Sequence, residues 1–527
     1  MDDELTSTLR AAGFELIETH ISLVFLRGAH VYKTKRAVSL GFLDFSSLAL
    51  RETACLAEVE LNRRLCSDVY LGVVALTRTS SGELSFVPRE QCSATAGVGV
   101  LEWAVHMRRL DERERADSLL VSHAFGVVDL ETIASTLAAF HRSAPATDEI
   151  AKFGSPQQIE DNVRENFRQI APYVSTYLTV EEHAQLVDYQ TRFLVEQHAL
   201  LVERAATGHV RDGHGDLRLE HCYRAPAGGY VIVDCIEFNE RFRYGDVCAD
   251  LAFLAMDLTY QGKADLADLL VSAYARASTD YGVYTVLDFY QSYRATVRAK
   301  VSALLAQDLD VTEATRERAE NEARRYFVLA LSAGRRLFRS PHLIVMMGAI
   351  ASGKSTIAAA VAQRLGAAVL SADYTRKELL GLSPTRPRYD LPFQGAYTSD
   401  FSERVYATLL ARAALILRSG RSVVLDATFR SRAQRDEACA LARSLGAQHL
   451  VVECYCERGM ALQRLRERAQ AESVSDGREE IYDSFMAQFE APTELTDKGR
   501  LRLDTGQPLS SALALVYAEL ARASPGT

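Results

Sequence analysis

Lysine is scarce in this chain. Among 60 basic residues, lysine occurs only at Lys33, Lys35, Lys152, Lys263, Lys300, Lys354, Lys377 and Lys498. A lysine that falls in a phosphate-binding context therefore carries weight. Runs of 18 or more apolar residues are missing, so no membrane-spanning helix is expected. The opening Met1-Asp2-Asp3-Glu4-Leu5 is acidic and has no apolar signal region, which points to a cytoplasmic location. The nine cysteines are scattered and odd in number, which suits reduced thiols better than a disulfide framework. Cys454 and Cys456 are too close for a C-x-x-C pair. The alternation around them predicts a strand with both thiols on one face, buried rather than ligating metal.

A length of 527 residues with 48% hydrophobic content predicts two or three domains with packed cores. The net charge of −9 is unevenly spread. From residue 341 onward 23 basic residues face 21 acidic ones, against 37 and 48 before it. The acidic first part argues against a general nucleic-acid-binding surface there.

The most informative stretch is Gly348-Ala349-Ile350-Ala351-Ser352-Gly353-Lys354-Ser355-Thr356, which reads G-x-x-x-x-G-K-[ST]. It follows an apolar run, Leu343 to Met347, and precedes a helical pattern from Ile357. That strand–loop–helix context is what a phosphate-binding P-loop requires. Gly348, Ser352, Gly353, Lys354, Ser355 and Thr356 are the candidate nucleotide-binding residues. The curled backbone and the helix N-terminus turn N–H groups toward an anion. Lys354 reaches the β- and γ-phosphates, and Ser355 holds Mg²⁺.

Earlier in the chain, residues 16 to 45 alternate like a β-meander, with strands at Ile21–Leu26 and His30–Lys33 around an Arg27-Gly28 turn. Residues 47 to 66 have helical spacing and carry Glu58. Further strands are predicted at 73–77, 83–87 and 98–105. Residues 115 to 208 read as helical, including one long helix from Glu182 to Ala205. Then come His214-Gly215-Asp216-Leu217-Arg218-Leu219-Glu220-His221 and, after it, Tyr230-Val231-Ile232-Val233-Asp234, a strand ending in a carboxylate. Residues 264 to 336 are again helical, and the domain boundary is placed at 338 to 341.

The stretch from 15 to 335 resembles the aminoglycoside phosphotransferase family, through His214, Gly215 and Asp216 of its H-G-D-x-x-x-x-N loop and the following Asp234. The resemblance implies a bilobal protein-kinase-like fold. It implies that Asp216 is the catalytic base, that Asp234 binds metal, and that Lys33 anchors ATP with Glu58 as its helix partner. Lys35 is an alternative to Lys33. His221 stands where the family has asparagine, whose carbonyl oxygen suits Mg²⁺ while imidazole suits softer metals. His221 is therefore read as a metal ligand, a phosphate contact, or the mark of an altered or lost activity. A zinc site of His214, His221 and Cys222 matches no common spacing.

After the P-loop helix, strands at 368–371, 422–426 and 449–454 alternate with helices. This predicts a doubly wound parallel sheet, an α/β domain after an α+β one, with ligands at the strand C-termini. Asp373 and Asp426 lie there. The segment resembles small P-loop kinases: gluconate kinase, chloramphenicol phosphotransferase, polynucleotide 5′-kinase and the zeta toxins. Ser371-Ala372-Asp373-Tyr374-Thr375-Arg376 looks like their S-x-D-x-x-R element. This implies that Asp373 activates the acceptor hydroxyl, that Arg376 binds an anionic part of the substrate, and that Asp426 supports Mg²⁺. Arg464 and Arg468, one helical turn apart, look like lid arginines acting on the transferring phosphoryl group. Arg430 and Arg435 are further candidates for the substrate, and Arg466 is expected at the surface.

The expected activity is transfer of a phosphoryl group from ATP (or GTP), with Mg²⁺, to a hydroxyl of a small molecule, sugar or nucleic-acid end. Alternatives are a zeta-toxin-like kinase, a 5′-hydroxyl nucleic-acid kinase, and a nucleotide-dependent switch with an inactive first domain. The acceptor and the oligomeric state stay open.

Overall fold

The computed structural model describes residues 3–19, 21–39, 43–79, 82–92, 99–308, 311–333, 340–390, 393–470, 473–495 and 499–523. Part of the boundary expected at 338–341, and the start of the 98–105 strand, lie outside them. The chain forms two compact units, Met1–Tyr260 with Tyr293–Phe327, and Gln261–Ser292 with Val328–Thr527.

In the first unit, β1 (Glu15–Glu18), β2 (Ser22–Arg27), β3 (His30–Lys35), β4 (Tyr70–Arg78), β5 (Leu84–Pro88) and β6 (Val100–Arg108) form an antiparallel sheet in the order β1-β2-β3-β6-β4-β5. The strands alternate, so one face packs on the Leu48–Asn62 helix through Cys55, Val59, Val73 and Val105. Ser47 caps that helix, its hydroxyl accepting from the Leu50 N–H. The remainder is mainly helical, apart from two short two-stranded antiparallel sheets: β7 (Val210–Asp212) with β10 (Tyr244–Asp246), and β8 (Cys222–Arg224) with β9 (Tyr230–Ile232). The long helix expected over Glu182–Ala205 is two, Val180–Glu196 and His198–Ala206. Gln197 leaves helical geometry at φ −104°, ψ 17°, ending one helix and opening the next.

In the second unit β11 (His342–Met347), β12 (Ala368–Ser371), β13 (Val423–Asp426), β14 (Gln448–Tyr455) and β15 (Arg500–Asp504) form an all-parallel sheet, ordered β12-β13-β11-β14-β15. A parallel sheet is covered on both faces, hence its near-continuous apolar strands. Ile344, Met346, Val424 and Val452 pack against Ile357, Val361 and Val516 of flanking helices. Each such side chain, fully buried, contributes about 1.5–3 kcal/mol. The chain thus pairs a kinase-like mixed fold with a doubly wound P-loop fold, as the sequence predicts. No helix among the described residues is long and apolar enough to cross a membrane.

Candidate active sites

Each unit holds one cluster of candidate residues. In the first, the His214-Gly215-Asp216 loop is fixed from behind by Asp250. Its carboxylate accepts from the N–H of His214 (2.7 Å) and of Gly215 (2.9 Å), and it faces His141 Nε2 at 3.3 Å. Gly215 sits at φ +89°, and a Cβ there would meet the Phe242 carbonyl at 2.9 Å. The loop therefore needs glycine. Burial works against the Asp250 charge, but His141, His214 and Arg294 together outweigh it and hold the carboxyl well below its ordinary range. Burial likewise pushes the Asp216 carboxyl up, while Arg218, His221 and Arg298 together bring it below the usual value. Asp216 is thus an ionised carboxylate at neutral pH.

β9 stops at Ile232, and Asp234 lies beyond it in the left-handed region at φ +66°. Its N–H donates to Tyr70 Oη at 3.2 Å, and the next N–H, of Cys235, donates to Asn62 Oδ1 at 2.9 Å. Lys33 Nζ lies 2.6 Å from Asp234 Oδ1 and 2.9 Å from Glu58 Oε1. Lys35, two residues on and on the same face of β3, bonds Glu58 Oε2 at 2.5 Å and also Glu237. Both candidate lysines therefore share Glu58, which is not reserved for Lys33. Burial opposes each of these charges. The partners win at Lys33, whose pKa is raised, and at Glu58 and Asp234, which are lowered. At Glu237 burial wins, and its carboxyl is raised. The sequence reading passed over Glu237, although it follows Asp234 in the same short segment.

His221 donates its Nδ1 hydrogen to the Asp216 carbonyl at 2.6 Å, which turns Nε2 toward Asp234 Oδ2 and Glu220 Oε1, each at 3.6 Å. Asp234 and His221 thus converge. Among the described residues no group of three or more His, Cys, Asp or Glu is arranged to hold a metal ion by itself. A metal here would take its remaining ligands from phosphate and water.

In the second unit the P-loop joins β11 to the Lys354–Leu365 helix. An added Cβ at Gly348 would run into the Cys454 carbonyl of the neighbouring strand. Gly353, at φ +84°, opens the helix with no side chain capping its N–H groups. Ala351 is left-handed without being glycine, at φ +58°. Lys354 is folded back on its own loop, its Nζ donating to the Ala349 carbonyl at 2.6 Å. Burial lowers its pKa, with Asp426 the strongest opposing influence. Asp426, at the end of β13, is raised by burial against Lys354 and a hydrogen bond from the Ser355 hydroxyl. An uncapped helix N-terminus, an under-compensated ammonium and a Ser–Asp pair fit a polyphosphate with Mg²⁺.

Lys354 and Asp426 line one solvent-open cleft. Ser352, Gly353, Lys354, Ser355 and Thr356 line it together with Asp373, Arg376, Asp426, Arg430 and Arg468. The two remaining arginines have other tasks. Arg435 is fully buried, with Glu494 on its Nε (2.5 Å) and Nη2 (3.2 Å) and the carbonyls of Phe429, Arg430 and Glu490 on Nη1. It is a buried loop clamp and does not line the cleft. Arg464 donates to the Ala351 carbonyl (3.3 Å), Thr505 Oγ1 (3.1 Å) and the Thr505 carbonyl (2.7 Å), so it braces the P-loop from outside the cleft. Arg466 pairs with Glu479 at the surface, as expected. Thr505, absent from the sequence reading, also donates to the Ser352 carbonyl at 2.8 Å.

Comparison with known proteins follows this division. Residues 96–290 match the phosphotransferase enzyme family, and residues 343–492 match an AAA domain. Uncharacterized proteins of Mycobacterium tuberculosis (strain H37Rv) and Mycobacterium bovis are each 30% identical over 500 residues, covering 95% of this chain and 94% of theirs. Among solved structures, a gluconokinase from Sinorhizobium meliloti 1021 is 23% identical over 35% of this chain and 95% of its own, with a TM-score of 0.26. The Mycobacterium tuberculosis APS kinase CysC in complex with AMPPNP and APS is 21% identical over 35% and 99%, with a TM-score of 0.27.

Proposed function

We propose, for a chain that belongs to the same family as those mycobacterial proteins, that the second unit transfers the γ-phosphoryl group of ATP to a hydroxyl of an acceptor. The chain joins a kinase-like phosphotransferase domain to a P-loop kinase domain. The observation that carries the reading is the convergence of Lys354, Asp426 and Asp373 in one cleft beneath an uncapped helix N-terminus. The P-loop N–H groups and Lys354 bind the phosphates, and Arg468 adds a second cation on the same wall. A magnesium ion held by Ser355 and Asp426 would neutralise phosphate charge. Asp373 orients the acceptor hydroxyl and takes its proton. The acceptor oxygen bonds to the γ-phosphorus as the bond to the β–γ bridging oxygen breaks and ADP leaves. Little covalent chemistry is asked of the protein; positioning and charge stabilisation do most of it.

In the first unit, Asp216 is proposed as base, Lys33 as phosphate ligand, and Asp234 with His221 as metal ligands. A second reading is that this unit binds nucleotide without transferring phosphate. The 2.6 Å Lys33–Asp234 ion pair favours it, since each group occupies the other.

Labelled γ-phosphate transfer to aminoglycosides, neutral and acidic sugars, nucleotide sugars and 5′-hydroxyl oligonucleotides tests both units. Loss of transfer in Asp373→Ala but not in Asp216→Ala is the expected result. The reverse pattern moves the activity to the first unit, and ATP binding without any transfer rejects the enzyme reading in favour of a switch.

A further inference from the structure

In the second unit the P-loop and the helix carrying Asp373 come from different parts of the chain, and one buried carboxylate links them. Asp373 sits in the first turn of the Ala372–Leu379 helix, and Lys377 follows one turn later. Asp373 lines the cleft, whereas Lys377 is 1% exposed and does not. Among the described residues its acidic partner is Asp476, whose Oδ1 lies 3.2 Å from Nζ. The pair is purely ionic, since Nζ donates no hydrogen bond.

Asp476 is 6% exposed and does more than neutralise that ammonium. Its Oδ1 accepts the Arg388 N–H at 3.0 Å, and its Oδ2 accepts the Tyr397 hydroxyl at 3.2 Å. Burial raises the pKa of that hydroxyl, and the Asp373 and Asp476 carboxylates raise it further, so Tyr397 stays a donor. A second stitch lies close by in sequence: Arg478 Nη2 donates to the Asp390 carbonyl at 2.7 Å.

The neighbours of Asp476 face the nucleotide side. Ser475 and Gly477 line the cleft with the P-loop, although Asp476 itself does not. Gly477 is pressed onto that loop, where a Cβ would come within 2.5 Å of Ile350 Cγ2. A few residues on, Tyr482 shares an apolar cluster with Ile350 and Ala351. The 475–477 segment thus rests on the P-loop while its middle residue grips the helix that carries Asp373.

We infer that Asp476 is a positioning residue that clasps the 475–477 segment over the cleft, coupling a seated nucleotide to the placement of Asp373 and keeping water from the γ-phosphate. This rests on reading the second unit as an ATP-dependent kinase. With the clasp closed, the acceptor oxygen is the nucleophile held in line. With it open, water takes that place. Its oxygen bonds to the γ-phosphorus, the bond to the β–γ bridging oxygen breaks, the proton passes to Asp373, and ADP and inorganic phosphate leave.

The test uses the full chain in an Asp216→Ala background and needs no acceptor. Release of mant-labelled ADP with Mg²⁺ is followed by stopped flow, and ATP hydrolysis is measured in water alone. Asp476→Asn is expected to speed release and to raise the kcat of hydrolysis, each by about tenfold or more. A merely structural residue would lower hydrolysis together with stability. Lys377→Met combined with Asp476→Asn removes both buried charges, so the melting temperature lost in Asp476→Asn should return, while release and hydrolysis stay fast. This pair also carries the test if Asp476→Asn alone fails to fold. Release and hydrolysis within about twofold of the background protein, or their return to slow values in the double variant, overturn the inference alone. Absence of mant-ADP binding, or binding unchanged in Lys354→Met, overturns the kinase reading and the inference with it.

Discussion

Lys33 and Lys354 are the two lysines proposed to meet phosphate, and their surroundings treat them in opposite ways. Lys33 lies in an alternating row, Asp234–Lys33–Glu58–Lys35–Glu237, whose members satisfy one another. The row raises the lysine and lowers Asp234 and Glu58. Lys354 has a carbonyl of its own loop instead of an acid at hydrogen-bonding distance, and burial lowers it while raising Asp426. The first site is electrostatically closed as it stands. The second is short of negative charge and is completed by whatever anion enters. A phosphate-binding motif therefore says where charge is gathered. Whether that charge is already spoken for depends on residues far away in sequence.

The largest expected break in this contrast is Glu58→Ala. It removes the shared acid between Lys33 and Lys35, leaving each with one carboxylate, Asp234 and Glu237, and removal of one partner from a buried ionic network costs about 3–5 kcal/mol. Chemical denaturation should show that loss, and a loss under about 1 kcal/mol would mean that the row is not a stabilising network. Lys354→Met is expected to do the reverse. Stability should stay within about 0.5 kcal/mol of wild type or rise, because a poorly compensated charge is gone, while ATP affinity of the second site falls roughly 100-fold, about 2.7 kcal/mol. A smaller effect is expected of Ala351→Gly. It releases the left-handed strain at φ +58° and should stabilise by about 1 kcal/mol. A fall in melting temperature would show that the Arg464 brace, not the backbone, sets that geometry.

The pH response sharpens the comparison most gently. For the second site, kcat/KM reports groups of the free protein. Asp426 is raised and Lys354 lowered, so the active window should be narrower than the ordinary range of about 3.9 to 10.4 on both sides. In the first unit Asp234 and Asp250 are depressed. Their stabilisation is complete above the unfolded carboxylate value and is lost as pH falls below it. Acid titration of unfolding should therefore show the first unit weakening below about pH 4, and a first unit indifferent to acid would contradict the row of pairs.

Much of this architecture was legible from local pattern. The P-loop follows from a strand, a glycine-bearing loop and a helix within a few residues, and the β-meander follows from alternation. The left-handed turn at Asp234 was not legible, because no glycine marks it. Helical spacing puts Arg435 on an exposed-looking face, yet Glu494, 59 residues further on, closes over it. The same holds for Arg464, whose partners are Ala351 and Thr505. The break at Gln197 carries neither proline nor glycine, and periodicity ran through it. Residues that touch only distant partners leave no mark in their own neighbourhood.

One ion pair bears on how such a chain is inherited. Arg421, just ahead of β13, is 3% exposed and held between Asp268 (3.1 Å) and Asp288 (2.7 Å). Both aspartates belong to the helical Gln261–Ser292 hairpin, all but the last two residues of which lie inside the stretch matching the phosphotransferase family but which packs in the second unit. The same hairpin sets Tyr281 against Arg412, which in turn holds Glu378 on the Asp373 helix. A cut at residue 341 would leave that guanidinium inside the fold without either acid, at a cost of several kcal/mol. The boundary drawn by homology is thus not a seam along which the gene can be divided. Recombination that exchanged one half for a foreign cassette would have to carry the hairpin along, or rebuild two acids and a tyrosine in its place.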